Sequence, residues 1–272
     1  MSLYPLLMAP CFRHGADTPW GGDMLREIFM KDALDGTGES LEVCAVPEYD
    51  SLVASGEHAG KAFRRMLDLW GEALTGSVSD ARALTLKLID ASGEMPVQTT
   101  PNTSHGFVIL NAEPGAGLCC GDEWRTVRPG DVYYIPAGTA CALRGGVQSY
   151  AVECISNTVA APVKTEGATE LCRGGSRTWY ICDGGFELCR LNVSGKMPLE
   201  MGRMRIVTPM VPLALKWQGG EMALNPFATV VVPAGLENAV IEGHGKALLA
   251  APSDQAALRQ ALGYRAELVA GL

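Results

Sequence analysis

One nine-residue pattern occurs twice in the chain, about one hundred residues apart. Gly130-Asp131-Val132-Tyr133-Tyr134-Ile135-Pro136-Ala137-Gly138 is echoed by Phe227-Ala228-Thr229-Val230-Val231-Val232-Pro233-Ala234-Gly235. Each copy is a short apolar strand running into a Pro-x-Gly turn. Proline presets one turn dihedral, and glycine accepts the conformation that closes the turn. Recurrence at this spacing argues for a duplicated β domain; solenoid repeats are shorter, at about 20–50 residues. The 32 glycines and 16 prolines among 272 residues suit many short strands joined by tight turns. A hydrophobic content of 47% is enough for one large core or two modest ones.

The rest of the chain agrees with that reading. Strand-like apolar runs are expected at 41–46, 84–89, 95–100, 106–111, 117–120, 131–135 and 150–155, and again at 177–181, 186–193, 204–209, 221–225, 228–232, 239–242 and 246–250. One segment breaks the pattern. Ala62, Phe63, Met66, Leu67, Trp70 and Leu74 recur at helical spacing, with Arg64, Arg65 and Asp68 between them, which predicts an amphipathic helix within 60–74. Residues 161–176 are rich in Ser, Thr, Ala and Gly and read as a linker. The tail over 253–262 has helical character. His58, ahead of Ala59-Gly60, reads as an exposed loop residue.

Composition removes several function classes. The net charge is −8 and no basic stripe occurs, so nucleic acid and anionic membrane are poor partners. No apolar run approaches the roughly 20 residues that span a bilayer. Residues 3–9 are apolar, but no basic residue precedes them and Pro5 and Pro10 interrupt them; the expectation is no secretory leader and a cytoplasmic location. The nine cysteines include no C-x-x-C pair, so they predict neither a zinc ribbon nor a disulfide framework.

The Gly130 stretch fits the second signature of the cupin barrel: Gly, five residues, Pro-x-Gly, two residues, then a metal-binding His. Other stretches narrow the resemblance. In order, they are Trp20-Gly21-Gly22, Thr37-Gly38-Glu39, Gly60-Lys61, Leu86-Lys87-Leu88-Ile89-Asp90-Ala91, Val97-Gln98 and Asn111-Ala112-Glu113-Pro114-Gly115-Ala116. This series resembles the short bacterial class I mannose-6-phosphate isomerases, well over residues 3–155 and more weakly to about Pro252. The resemblance implies an all-β chain of two tandem cupin barrels (double-stranded β-helix, or jelly-roll). The first would be an N-terminal barrel over 1–160 with the 60–74 helix inserted. A linker over 161–176 and a C-terminal barrel over 177–272 without a metal site would follow.

In that family zinc is held in the first barrel by a Gln and a His in a Gln-x-His strand, a Glu on the next strand, and a His after the Pro-x-Gly turn. Here the Gln is kept as Gln98, Thr100 stands at the first His, His105 at the Glu, and Cys141 at the last His. The resemblance therefore implies an altered zinc site of Gln98, His105 and Cys141, with Thr100 or water as fourth ligand. The alternative is that the metal site is lost and Cys141 is a small buried residue. Lys87 matches the lysine of the family's Lys-Leu-x-Asp-Ala strand; Glu153 follows a strand where the pocket wall would lie and reads as a candidate base or as a solvent-facing strand carboxylate. The lysine expected two residues before the ligand Glu is Thr103. The Arg-rich segment expected near 155–163 reads Ser156-Asn157-Thr158-Val159-Ala160-Ala161-Pro162 and contains no Arg. Arg13 and Arg144 are the candidate substitutes for binding substrate, together with Thr100. The small-molecule partner implied is a sugar or sugar phosphate. Three functions stay open: a metal-assisted aldose–ketose isomerase, a non-catalytic sugar-binding or regulatory protein, and a metal-free isomerase of a non-phosphorylated sugar.

Overall fold

The computed structural model describes residues 3–77, 84–155, 162–182 and 185–253. The chain divides into two compact units, and both are assembled from separated segments: Pro10–Ser51 with Ala83–Glu166, and Met1–Ala9 with Leu52–Arg82 and Gly167–Leu272. Almost every described element is a β-strand, as the Gly- and Pro-punctuated apolar runs predict.

In the Pro10–Ser51/Ala83–Glu166 unit, a seven-stranded sheet has the order Val163–Thr165, Val132–Ile135, Thr103–Ala112, Val147–Ile155, Leu84–Ala91, Thr37–Val43, Cys11–His14. A four-stranded sheet runs Gln98–Thr99, Ala140–Arg144, Gly117–Cys120, Glu123–Thr126. Strand side chains alternate between the two faces of a sheet. Ile89, Phe107, Ile109, Tyr133, Ile135 and Ala151 from the first sheet meet Leu118, Cys120, Cys141 and Leu143 from the second in one apolar core. Burying a side chain of this size contributes about 1.5–3 kcal/mol, so this core holds the two sheets face to face.

The other unit is built on a sheet ordered Ala168–Cys172, Gly175–Cys182, Phe186–Pro198, Val240–Pro252, Arg205–Pro209, Val230–Val232, Leu6–Ala9, Leu52–Val53. The Leu213–Trp217 and Gly220–Leu224 hairpin joins it through Val240–Pro252. The duplicated motif plays one part in both units. The amide of Gly130 donates to Ile109 O and that of Phe227 to Pro209 O, each just ahead of the motif's strand. Both residues sit at positive φ, +92° for Gly130 and +59° for Phe227. An L side chain with a Cβ rarely adopts that region.

Two expected boundaries change. The helix is real, Phe63–Trp70 with Phe63, Met66, Leu67 and Trp70 buried, and it stops at Gly71, whose φ is +48°. It is not an insert in the first barrel, however. The amides of Ala234 and Gly235 donate to Leu74 O and Ala73 O, and the Met204 amide to Thr75 O, which ties this segment to the C-terminal strands. The expected linker also has structure. Val163–Thr165 pairs with Val132–Ile135, and Ala168–Cys172 pairs with Gly175–Cys182, so the division falls between Glu166 and Gly167. His58 is buried rather than exposed, stacked on Tyr4 at 6.0 Å. The expected helical tail and most of the Arg-free 156–162 segment lie outside the described residues. Among the described residues, no helix is long and apolar enough to cross a membrane.

Candidate active site

Five polar side chains line up across five neighbouring strands of the seven-stranded sheet. In register, His105 lies opposite Glu153, Ala151 opposite Lys87, Ile89 opposite Glu39, and Glu39 opposite Arg13. Directly opposed residues share a face, and so do residues two apart in one strand. His105, Glu153, Lys87, Glu39 and Arg13 therefore all point to the face that carries Ile89, Phe107 and Ala151, the interior of the unit. The same alternation that builds the apolar core turns its polar members inward at one end.

There they form a continuous chain. Arg13 Nη1 is 2.6 Å from Glu39 Oε2, and Lys87 Nζ is 2.9 Å from Glu39 Oε1. Lys87 Nζ is also 2.6 Å from Glu153 Oε1, and that oxygen is 3.3 Å from His105 Nδ1. That last contact is a close approach rather than a well-aligned hydrogen bond. His105 Nε2 is 2.7 Å from the hydroxyl of half-buried Thr100, and the imidazole stacks on Phe107 with a 3° interplanar angle. The Glu153 anion favours a proton on Nδ1, which leaves Nε2 to accept from the Thr100 hydroxyl.

Two cations and two carboxylates balance within this chain, and they fix one another's charge. Burial alone would lower the Lys87 ammonium, but Glu153 and Glu39 hold it far above the ordinary lysine value. Burial alone would raise the Glu153 carboxyl, but Lys87 first and then His105 keep it well below the usual carboxylate range. At neutral pH Lys87 is thus a fixed cation and Glu153 a fixed anion.

The donors do not fit the expected zinc site of Gln98, His105 and Cys141. Burial, followed by the nearby Glu153 charge, pushes the Cys141 thiol up to about 12. Cys141 is packed into the apolar core. Of the two His105 nitrogens, Nε2 is held by Thr100 and Nδ1 faces the Glu153 oxygen. Gln98 lies opposite Cys141 in register and so shares its face, but it is exposed. Among the described residues, no three His, Cys, Asp or Glu side chains are grouped to hold a metal ion.

Lys87, Glu153, His105, Thr100 and Arg13 are brought together, while Arg144 is not. Leu143 and Cys141 face the core, so the alternation turns Arg144 outward. Its guanidinium lies 4.0 Å over Trp124 and 3.7 Å from Glu94 Oε2. Sequence reasoning missed Glu39. The informative signal was the Thr37-Gly38-Glu39 stretch. Thr37–Val43 lies beside Leu84–Ala91, so Glu39 reaches Lys87.

No family model matches the chain. A mannose-6-phosphate isomerase of Streptococcus mutans is 24% identical over 173 residues, which is 51% of this chain and 55% of that protein. The mannose-6-phosphate isomerase ManA of Bacillus subtilis is 23% identical over 192 residues, 58% of this chain and 60% of its own length. The chain thus spans little more than half the length of the curated relatives it matches. The crystal structure of the mannose 6-phosphate isomerase from Bacillus subtilis superposes with a TM-score of 0.79 at 19% identity, covering 90% of this chain and 99% of that one. In sequence the chain is a relative of mannose-6-phosphate isomerases, and in structure it shares the cupin fold of the phosphomannose isomerases.

Proposed function

We propose that the chain is an aldose–ketose isomerase acting on a small sugar of the mannose–fructose type. The observation that carries this reading is the hydroxyl–imidazole–carboxylate chain Thr100–His105–Glu153, with the fixed cation of Lys87 beside it. Isomerisation moves one proton from C2 to C1 and one hydroxyl proton from O2 to O1. His105 Nε2 takes the C2 proton and returns it to C1 of the enediol. Thr100 donates its hydroxyl proton to O1 and recovers one from O2, so no proton is gained or lost. Glu153 stabilises the imidazolium between the two steps, and Lys87 supplies the positive field for the charge that develops on oxygen.

The charge pattern supports an uncharged sugar over its phosphate. This unit carries eight Lys and Arg against seventeen Asp and Glu. Seven of the eight cations, all but Arg128, already lie within 4.0 Å of a carboxylate. A phosphate would have to displace one of those partners.

One observation favours a second reading, sugar binding without turnover: Lys87 and Glu153 have no proton to trade at neutral pH. Both readings are tested by incubating the purified chain with mannose and with mannose 6-phosphate and following ketose formation and thermal stability. Turnover of mannose supports the isomerase. Stabilisation by sugar without turnover supports the binding protein. A chain neither stabilised nor active with either sugar contradicts both.

A further inference from the structure

A second charged cluster lies in the unit that holds the C-terminal strands. Three arginines gather round one carboxylate. Arg177 Nη1 is 2.8 Å from Glu200 Oε1, and Arg205 Nη2 and Arg203 Nη2 are 3.3 and 3.9 Å from Glu200 Oε2. Arg203 Nη1 also donates to Glu187. Register shows where these groups face. Trp179 lies opposite Cys189, Cys189 opposite Leu249, and Leu249 opposite Val207. All four belong to the apolar core of this unit. Arg177, Glu187 and Arg205 each stand two residues from one of them on the same strand, so they face the same interior.

Arg177 and Arg205 are only 6% and 3% exposed, yet their donors are not used up. Arg177 Nε and Arg205 Nη1 are buried without a hydrogen-bond partner. Buried donors are almost always paired, and each unpaired one weakens the unit. Glu170, opposite Arg177 in register, is a third carboxylate beside the three cations, and burial together with Arg203 pushes Arg205 down to about 10. The cluster holds two buried donors without partners, Arg177 Nε and Arg205 Nη1, against one such acceptor, Glu187 Oε2. Glu200, the carboxylate shared by all three arginines, lies between the strands ending at Pro198 and starting at Arg205, and its side chain is 52% exposed. It is the one member free to swing out.

We propose that this cluster is a binding site for a small oxyanion, phosphate or carboxylate, and that the Glu200 carboxylate holds the ligand's place. The ligand displaces Glu200, takes charge-assisted bonds from Arg177, Arg203 and Arg205, and gives the two orphan donors an acceptor. Guanidinium forks suit both ligand chemistries. The site is independent of the isomerase reading, since none of its residues belongs to the other unit.

Calorimetric titration of the full chain with inorganic phosphate and with acetate tests this, with chloride at equal ionic strength as control. The expected result is saturable binding of one of the two, and the winning titrant identifies the ligand class. Glu200→Ala removes the internal competitor. If Glu200 occupies the site about nine-tenths of the time, binding tightens about tenfold. Arg205→Met, checked for folding by circular dichroism, abolishes it. No saturable binding of either anion to the wild type and to Glu200→Ala overturns the proposal. So does an effect that chloride reproduces.

Discussion

Replacing Glu153 by Gln removes one of the two negative charges in the buried chain and keeps the shape. Wild type balances Arg13 and Lys87 against Glu39 and Glu153; the variant leaves two cations on Glu39. At the 2.6 Å separation of Lys87 Nζ and Glu153 Oε1, the direct attraction is about 6 kcal/mol at an effective dielectric of about 20. Most of that is offset by the cost of desolvating both ions. Removing one partner of a buried pair typically costs about 3–5 kcal/mol. Lys87 retains Glu39 at 2.9 Å, and the Glu153 side chain is 23% exposed. Both put the expected loss near or just under the low end, about 2–3 kcal/mol. Hydrogen exchange of peptides from Val147–Ile155 reads the opening free energy of this unit alone, which a chain of two units requires. Lys87→Met in the Glu153→Gln background restores the balance, so the double variant should be more stable than the two single losses summed, by about 1–3 kcal/mol. A Glu153→Gln loss below about 0.5 kcal/mol, the size of an ordinary surface substitution, or strictly additive variants, would refute the neutral-chain argument.

The same pair sets a pH window. The folded Glu153 carboxyl lies below its unfolded value of about 4.3, so its contribution is complete above that pH and fades as pH falls. Lys87 lies above its unfolded value of about 10.4, so its contribution is complete below that pH and fades as pH rises further. Thermal scans should show these flanks, with the acid one shallower in Glu153→Gln; an unchanged acid flank contradicts the assignment. Cys141, with its thiol near 12, should alkylate at pH 8 at least about a hundredfold more slowly than a thiol of ordinary acidity such as those of the unfolded chain; equal rates after urea correction contradict its burial. Zinc should give no saturable stabilisation, and chelator no loss of it, since the donors at Gln98, His105 and Cys141 do not fit a metal. Stoichiometric tight zinc that Cys141→Ser releases contradicts that.

The duplicated Pro-x-Gly motif and the short punctuated strands made the β architecture legible, because turn residues and period-two alternation are local signals. The placement of the helix was not. Its amphipathic face says that it packs, but the hydrogen bonds from Met204, Ala234 and Gly235 that choose its unit join residues more than one hundred positions apart. The candidate site was legible in part. Lys87, His105 and Thr100 stand at positions set by the resemblance, whereas Glu153 is read from its strand and Arg13 as a substitute cation. That Lys87 bridges two carboxylates depends on which strands are neighbours, and sheet order is not written in any one strand. Arg144 was misplaced for a simpler reason: three residues from inward-facing Cys141, alternation turns it outward.

The most direct test of the central claim, that His105 moves the proton, is the fate of the C2 hydrogen. The full chain is incubated with mannose in D2O, with and without chelator, beside His105→Asn, and the products are followed by NMR. The account predicts fructose in which the C2 hydrogen has passed to C1, with deuterium at C1 only as far as the imidazolium exchanges with solvent before it returns its proton, a rate indifferent to chelator, and a loss of about a hundredfold or more in His105→Asn. Turnover that survives in His105→Asn, or that chelator abolishes, would contradict it.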